Sequence, residues 1–166
     1  MLCLLIMECK GVLLTCFLPF ESAYSALGLD LGQSHVVRNA GGSACVLYRP
    51  LLNISVDLTP FHDYSKDALR SIVISQRLLG TREIAVFHHT DCGMLTFSTE
   101  QLRKIVKDAD GPSAPVDNID FLEFSDLHTS VKDDVKFLKE NPLVLPETTI
   151  TGWLHHVETG KVEQIV

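Results

Sequence analysis

In Glu83-Ile84-Ala85-Val86-Phe87-His88-His89-Thr90-Asp91-Cys92-Gly93-Met94 a short apolar run of strand type passes directly into a turn carrying histidines and a cysteine. The segment before it, Lys66 to Leu79, places Leu69, Ile72, Val73 and Leu79 at helical spacing and stops at Gly80. Helix, glycine stop and buried strand in succession are the unit from which parallel sheets are built. Working outward, Gly11 to Thr15 reads as a buried strand ending at Cys16, Glu21 to Leu27 as a short helix stopped at Gly28, and Ser34 to Arg38 as a strand. Asn39-Ala40-Gly41-Gly42 follows as a tight turn.

Downstream, Ser98 with Gln101 three positions on predicts a capping box and a third helix fading into Lys107-Asp108-Ala109-Asp110. Gly111 to Val116 is a loop with two prolines, and Ser125 is the expected cap of a fourth helix. Its apolar face is Leu127, Val131, Val135 and Leu138, and Asn141-Pro142 closes it. The charged residues Lys132-Asp133-Asp134 and Lys136 read as its solvated face. Glu147 to His155 and Lys161 to Val166 read as two strands joined at Thr159-Gly160. The fold class expected is α/β, a mostly parallel sheet flanked by helices, in which ligands gather beyond the carboxyl ends of the strands.

Composition narrows the partners. The 166 residues are 46% hydrophobic and 21% charged, as expected of one domain spanning 1–166 with a sizeable core. A net charge of -7 and the lack of any Lys/Arg run argue against nucleic acid, whose phosphates require neutralising cations. Glu8 and Lys10 interrupt the apolar start well before the roughly 18 residues of a spanning helix, so no membrane partner is expected. The five cysteines, Cys3, Cys9, Cys16, Cys45 and Cys92, are odd in number and lack the dense spacing of a small secreted disulfide scaffold. A reducing, cytoplasmic setting with free thiols or metal ligands is the expectation.

His89 and Cys92, two residues apart, can reach one metal ion from a single turn, and Gly93 lets the backbone bend around it. Cys16, at a neighbouring strand end, is the natural third donor, with Cys45 as the other possibility. Two thiolates and one imidazole are a recognised catalytic zinc set, and zinc in it lowers the pKa of water to about 7. The plain alternative makes these residues packing groups, with cysteine acting as a small hydrophobe. His88 is expected in the core or behind the ligands rather than among them. The absence of GxGxxG disfavours a nucleotide-binding domain, and the absence of Cys-x-x-Cys disfavours a thiol redox role.

Three stretches, Ser34 to Gly42, Ser71 to Ile84 and His88-His89-Thr90-Asp91-Cys92-Gly93-Met94-Leu95-Thr96-Phe97, together resemble the β-class carbonic anhydrases, in their short prokaryotic and fungal branch. The tail, Ile150-Thr151-Gly152-Trp153 with Thr159-Gly160-Lys161-Val162, extends the likeness. The resemblance implies an α/β fold, a homodimer or higher homo-oligomer, zinc, and the reversible hydration of carbon dioxide to bicarbonate, a lyase (carbonate dehydratase) reaction. By position, Cys16, His89 and Cys92 match the family's zinc ligands. The residue that relays the proton is not identifiable.

Two departures stand out. Where the family reads Cys-x-Asp-x-Arg, this chain reads Cys16-Phe17-Leu18-Pro19-Phe20. The family's aspartate hydrogen-bonds the water at the metal, or ligates the metal in a closed resting state, and the arginine holds the aspartate. Leu18 and Phe20 can do neither, so zinc binding is expected to survive with impaired turnover and no closed state. The alternative is a non-catalytic zinc-binding homologue or a defective gene product. The second departure is an atypical insertion over about Cys45 to Ser65, with neither helical nor strand periodicity, read as translated intron or as a surface lid. The resemblance also leads to the expectation of a reduced amino-terminal helix, with Met1 to Cys9 available for it. The double variant Leu18→Asp, Phe20→Arg is expected to raise carbon dioxide turnover by about 10- to 100-fold, the usual scale of outer-shell effects. A stopped-flow rate unchanged by the pair would refute that account.

Overall fold

The computed structural model describes residues 11–16, 25–30, 32–44 and 64–166. Its strands are β1 (Gly11–Thr15), β2 (Ser34–Arg38), β3 (Glu83–His89), β4 (Thr149–His156) and β5 (Lys161–Gln164). Its helices are α1 (Tyr64–Leu79), α2 (Thr99–Asp110) and α3 (Leu127–Glu140). The strands form one sheet in the order β2-β1-β3-β4-β5. The first four are mutually parallel, and β5 returns antiparallel to β4. Among the described residues no helix is long and apolar enough to cross a membrane.

The interior position of β1, between β2 and β3, explains its sequence. A strand covered on both faces has no reason to alternate polar and apolar residues, and Val12, Leu13 and Leu14 are all buried. Val12, Leu14, Ile84, Val86 and Ile150 face a core closed by Ala68 and Ile72 of α1 and Val135 and Leu138 of α3. Leu13 and Phe87 face the other way, against Ala26, Leu27, Val36, Ala85, Trp153 and Val162.

Most predicted elements are present, with instructive shifts. Residues 25–27 are helical and Gly28 has φ 64°, while 21–24 lie outside the described residues. On α1, Leu79 is 57% exposed rather than part of the buried stripe. The inward positions are taken by Ala68, Ile72 and the polar Ser75 and Gln76. Gln76 is buried because it is paired, donating to Thr148 Oγ1 at 2.8 Å and accepting from the Leu145 amide at 3.2 Å.

The capping box at Ser98 and Gln101 forms as expected. The cap of α3 is Asp126 rather than Ser125: its carboxylate accepts the Thr129 amide at 2.7 Å, and the Thr129 hydroxyl, then that amide, hold its pKa below the usual range. A carboxylate satisfies a free amide there and complements the helix dipole as well. The atypical segment from Cys45 to Ser65 falls almost wholly outside the described residues, which resume with Tyr64 at the start of α1.

Gly152, on β4, lies under α3. A Cβ there would stand 2.5 Å from Val131 Cγ1 and 3.0 Å from Val135 Cγ2, so any side chain would lift the helix from the sheet. Gly152→Ala is therefore expected to cost about 1–3 kcal/mol as overpacking. Urea unfolding should show a lower midpoint with an unchanged slope.

Candidate metal centre

The structure keeps β3 in the sheet two residues further than the sequence pattern indicated, to His89 rather than Phe87. Register follows, with His88 opposite Leu154 and His89 opposite His155. Because side chains alternate along a strand, the two adjacent histidines leave on opposite faces. His88 enters the helix-covered side, as the sequence led us to expect of a core residue, and is 1% exposed. His89 shares the face of Phe87.

Beyond His89 the chain reverses at Asp91, whose φ of 55° is a left-handed conformation that a short polar residue tolerates. Cys92 then precedes a single 3-10 turn, Gly93–Leu95, closed by the Leu95 amide on the Cys92 carbonyl at 3.0 Å. On the neighbouring strand β1 ends at Thr15, and Cys16 is the next residue. One donor atom from each of Cys16, His89 and Cys92 lies within 4.8 Å of the others, an arrangement that could hold a metal ion. Cys45, the other candidate donor, lies outside the described residues.

Two features show that the donors suit zinc. The Cys16 and Cys92 sulfurs stand 3.9 Å apart, close to the roughly 3.8 Å between two thiolates about 2.3 Å from one tetrahedral ion. The His89 ring donates through Nδ1 to the Thr90 carbonyl at 2.6 Å. That bond fixes the proton on Nδ1 and leaves Nε2 as the coordinating nitrogen.

Thr90 is itself braced by the end of the sheet. Its amide donates to the His155 carbonyl at 2.9 Å, its hydroxyl donates to Glu158 Oε2 at 2.9 Å, and it accepts the Val157 amide at 3.0 Å. A hydrogen bond within its own backbone and the Thr90 hydroxyl hold the Glu158 carboxyl below its ordinary range.

The cluster is shielded. Cys16 is 6%, Cys92 3% and His89 9% exposed, with Met94, Phe97 and Phe124 packed around the sulfurs. The contact with Cys16, then burial, pushes the Cys92 thiol well above its usual value. Contact with Cys16 also raises His89, reinforced by the Thr90 carbonyl and opposed by burial. His155, in register with His89, is lowered chiefly by burial, then by His89 and His156.

One close support escaped the sequence pattern. Asp134, grouped there with the solvated charges of α3, is only 2% exposed and lies against His88 and the turn behind Cys16. Its position gave the signal, since it stands three residues after Val131 and four before Leu138, inside the apolar stripe. Ser130, one turn earlier, places its hydroxyl 2.8 Å from His88 Nδ1. Leu18 and Phe20 lie outside the described residues.

No family model matches the chain. It is similar to "Beta-carbonic anhydrase 1" of Mycobacterium tuberculosis, 35% identical over 144 residues covering 86% of this chain and 73% of that protein. The carbon disulfide hydrolase of Acidithiobacillus thiooxidans is 29% identical over 161 residues, 86% of this chain and 69% of that protein. Among solved structures, the carbonic anhydrase from Glaciozyma antarctica matches with a TM-score of 0.78 and 43% identity, over 96% of this chain and 83% of that one.

A metal ion must displace protons from these donors, because thiolates and a neutral ring are the binding forms. The raised Cys92 and His89 favour their protonated states, so lowering the pH makes the proton the stronger competitor. Zinc affinity, measured by competition with a chromophoric chelator, is expected to fall steadily from pH 8 to pH 6. Uptake in weak buffer should release about two to three protons per zinc. A pH-independent affinity would show that these groups are not the ligands.

Proposed function

Since the chain belongs to the β-carbonic anhydrase family, we propose that it catalyses the reversible hydration of carbon dioxide to bicarbonate with zinc held by Cys16, His89 and Cys92. The observation that carries this is the meeting of two cysteines and one histidine, with His89 already in its coordinating tautomer, at the ends of two adjacent strands. When bound, zinc supplies the Lewis acidity that makes water nucleophilic near neutral pH.

The chain's own residues do the rest. The Thr90 carbonyl orients the His89 ring, and Thr90 is held in turn by His155, Glu158 and Val157. Met94, Phe97 and Phe124 give the sulfur side an apolar wall, against which a small molecule without charge or dipole loses little by leaving water. Bulk water is kept from the ligands by the same wall. The proton released on hydration passes to buffer, and His155 is the histidine that the sheet places beside His89. With Leu18 and Phe20 in place of the family's acid and base, turnover is lower than in members that keep the pair.

Homo-oligomerisation is part of the same proposal. Ile74, Leu78 and Leu79 leave an exposed apolar strip along the end of α1, of the kind that a second copy covers.

A second reading, a zinc-binding member without hydration activity, is favoured by Leu18 and Phe20 alone. A relative named for carbon disulfide hydrolysis adds a second linear, apolar substrate to be tested. Stopped-flow carbon dioxide hydration by zinc-quantified protein decides among them. Expected is a rate proportional to zinc content and about 10- to 100-fold below that of a relative with the acid–base pair, with no sulfide released from carbon disulfide. One zinc per chain with no hydration would establish the second reading. Sulfide release in place of hydration would reassign the substrate.

A further inference from the structure

Asp134 is a carboxylate within the core, 2% exposed, on the inner side of α3. Burying a charge is costly unless every oxygen is engaged, so a carboxylate retained at such a place has its environment built around it. Oδ1 accepts from the Ala44 amide at 2.9 Å and from the Ser43 hydroxyl at 3.1 Å. Oδ2 stands 3.1 Å from His88 Nε2. The other ring nitrogen of His88 meets Ser130, and the ring face is stacked on Phe124 with centroids 5.6 Å apart.

The two ends of this carboxylate reach the two arms of the metal centre. Ser43 and Ala44 continue from Gly42, whose own contacts are with the backbone of Cys16. A Cβ on Gly42 would lie 2.8 Å from the Cys16 nitrogen, and its φ of 68° favours glycine as well. The Asn39 amide adds a bond to the Thr15 carbonyl at 3.2 Å, and the Asn39 side chain holds the Ser43 carbonyl at 2.9 Å. Position the turn 39–44, and the Cys16 backbone is positioned with it. On the other arm, His88 immediately precedes His89, and Phe124 touches both His88 and the cysteine cluster.

We propose that Asp134 is a positioning residue of the metal centre: by clamping Ser43 and Ala44 on one side and His88 on the other, it fixes the separation of Cys16 from His89 and Cys92. This rests on the assignment of those three residues as zinc ligands. A carboxylate suits the task because one oxygen accepts from Ser43 and Ala44 while the other lies 3.1 Å from the His88 ring, which no apolar residue of that size can do. The helix that carries it spans the gap between the arms, so the distance between them is set by a rigid element rather than by loop geometry.

The test uses the full chain stripped of metal and reloaded with zinc or cobalt(II). Asp134→Ala should lower zinc affinity by about 10- to 100-fold and shift the cobalt ligand-field and thiolate charge-transfer bands. Asp134→Asn, whose amide oxygen still accepts from Ser43 and Ala44, should recover most of both. Ile72→Val, a core change under α1, should lower the melting temperature and leave the cobalt spectrum untouched, separating loss of stability from loss of position. Should the alanine variant not fold, Asp134→Glu carries the same comparison, since its extra methylene drives the carboxylate into Ser43 and Ala44 and should displace the bands. Wild-type affinity and spectrum in the folded Asp134→Ala or Asp134→Glu variant would overturn the clamp while leaving the zinc site standing. A wild-type chain that takes up neither metal would overturn the ligand assignment and the clamp with it.

Discussion

The parallel pairing of β1 with β3, from Gly11 opposite Glu83 to Thr15 opposite Phe87, is the constraint on which the site depends. Parallel neighbours end on the same side of a sheet, so whatever follows each strand is delivered to one place. Cys16 follows one strand, and His89 and Cys92 close the other. The pairing is secured by burial on both faces: Leu14, Ile84 and Val86 pack beneath α1 and α3, while Leu13 and Phe87 fill the opposite side. Nothing in the metal cluster has to hold the strands together. The three side chains inherit a position already fixed by the hydrophobic core.

Strand parity then divides the labour between neighbours. His88 and His89 differ by one position and therefore by one face. One is drawn into a buried network with Asp134 and Ser130, the other is held by the Thr90 carbonyl with a nitrogen toward the cysteines. A slip of one residue would exchange these surroundings and destroy both.

Much of this was legible in the sequence, for identifiable reasons. Gly11 to Thr15 and Ser34 to Arg38 are found with the expected bounds because continuous apolar or β-branched runs between breakers leave few alternatives. Cys16, His89 and Cys92 could be singled out because metal-binding residue types at strand ends are uncommon, and the structure brings the three together. The end of β3 was less legible, since two histidines look like turn residues until the pairing with Leu154 and His155 is known. Asp134 was harder to read, because an acid in an apolar stripe makes sense once Ser43, Ala44 and His88, which come from distant parts of the chain, are in place. Leu79 erred in the opposite direction, an apolar residue at helical spacing that the end of α1 leaves exposed.

The two sulfurs at the cluster are separated by 76 positions in the chain. Closing a loop of that length carries an entropic cost that only the intervening sheet repays. Before β1 has found β3, the chain offers metal only the local pair His89 and Cys92, and half a chelate is a weak one. A metal ion held by these three residues would therefore enter after the sheet has formed, and the fold, not the ion, would bear the entropic cost of assembling the cluster.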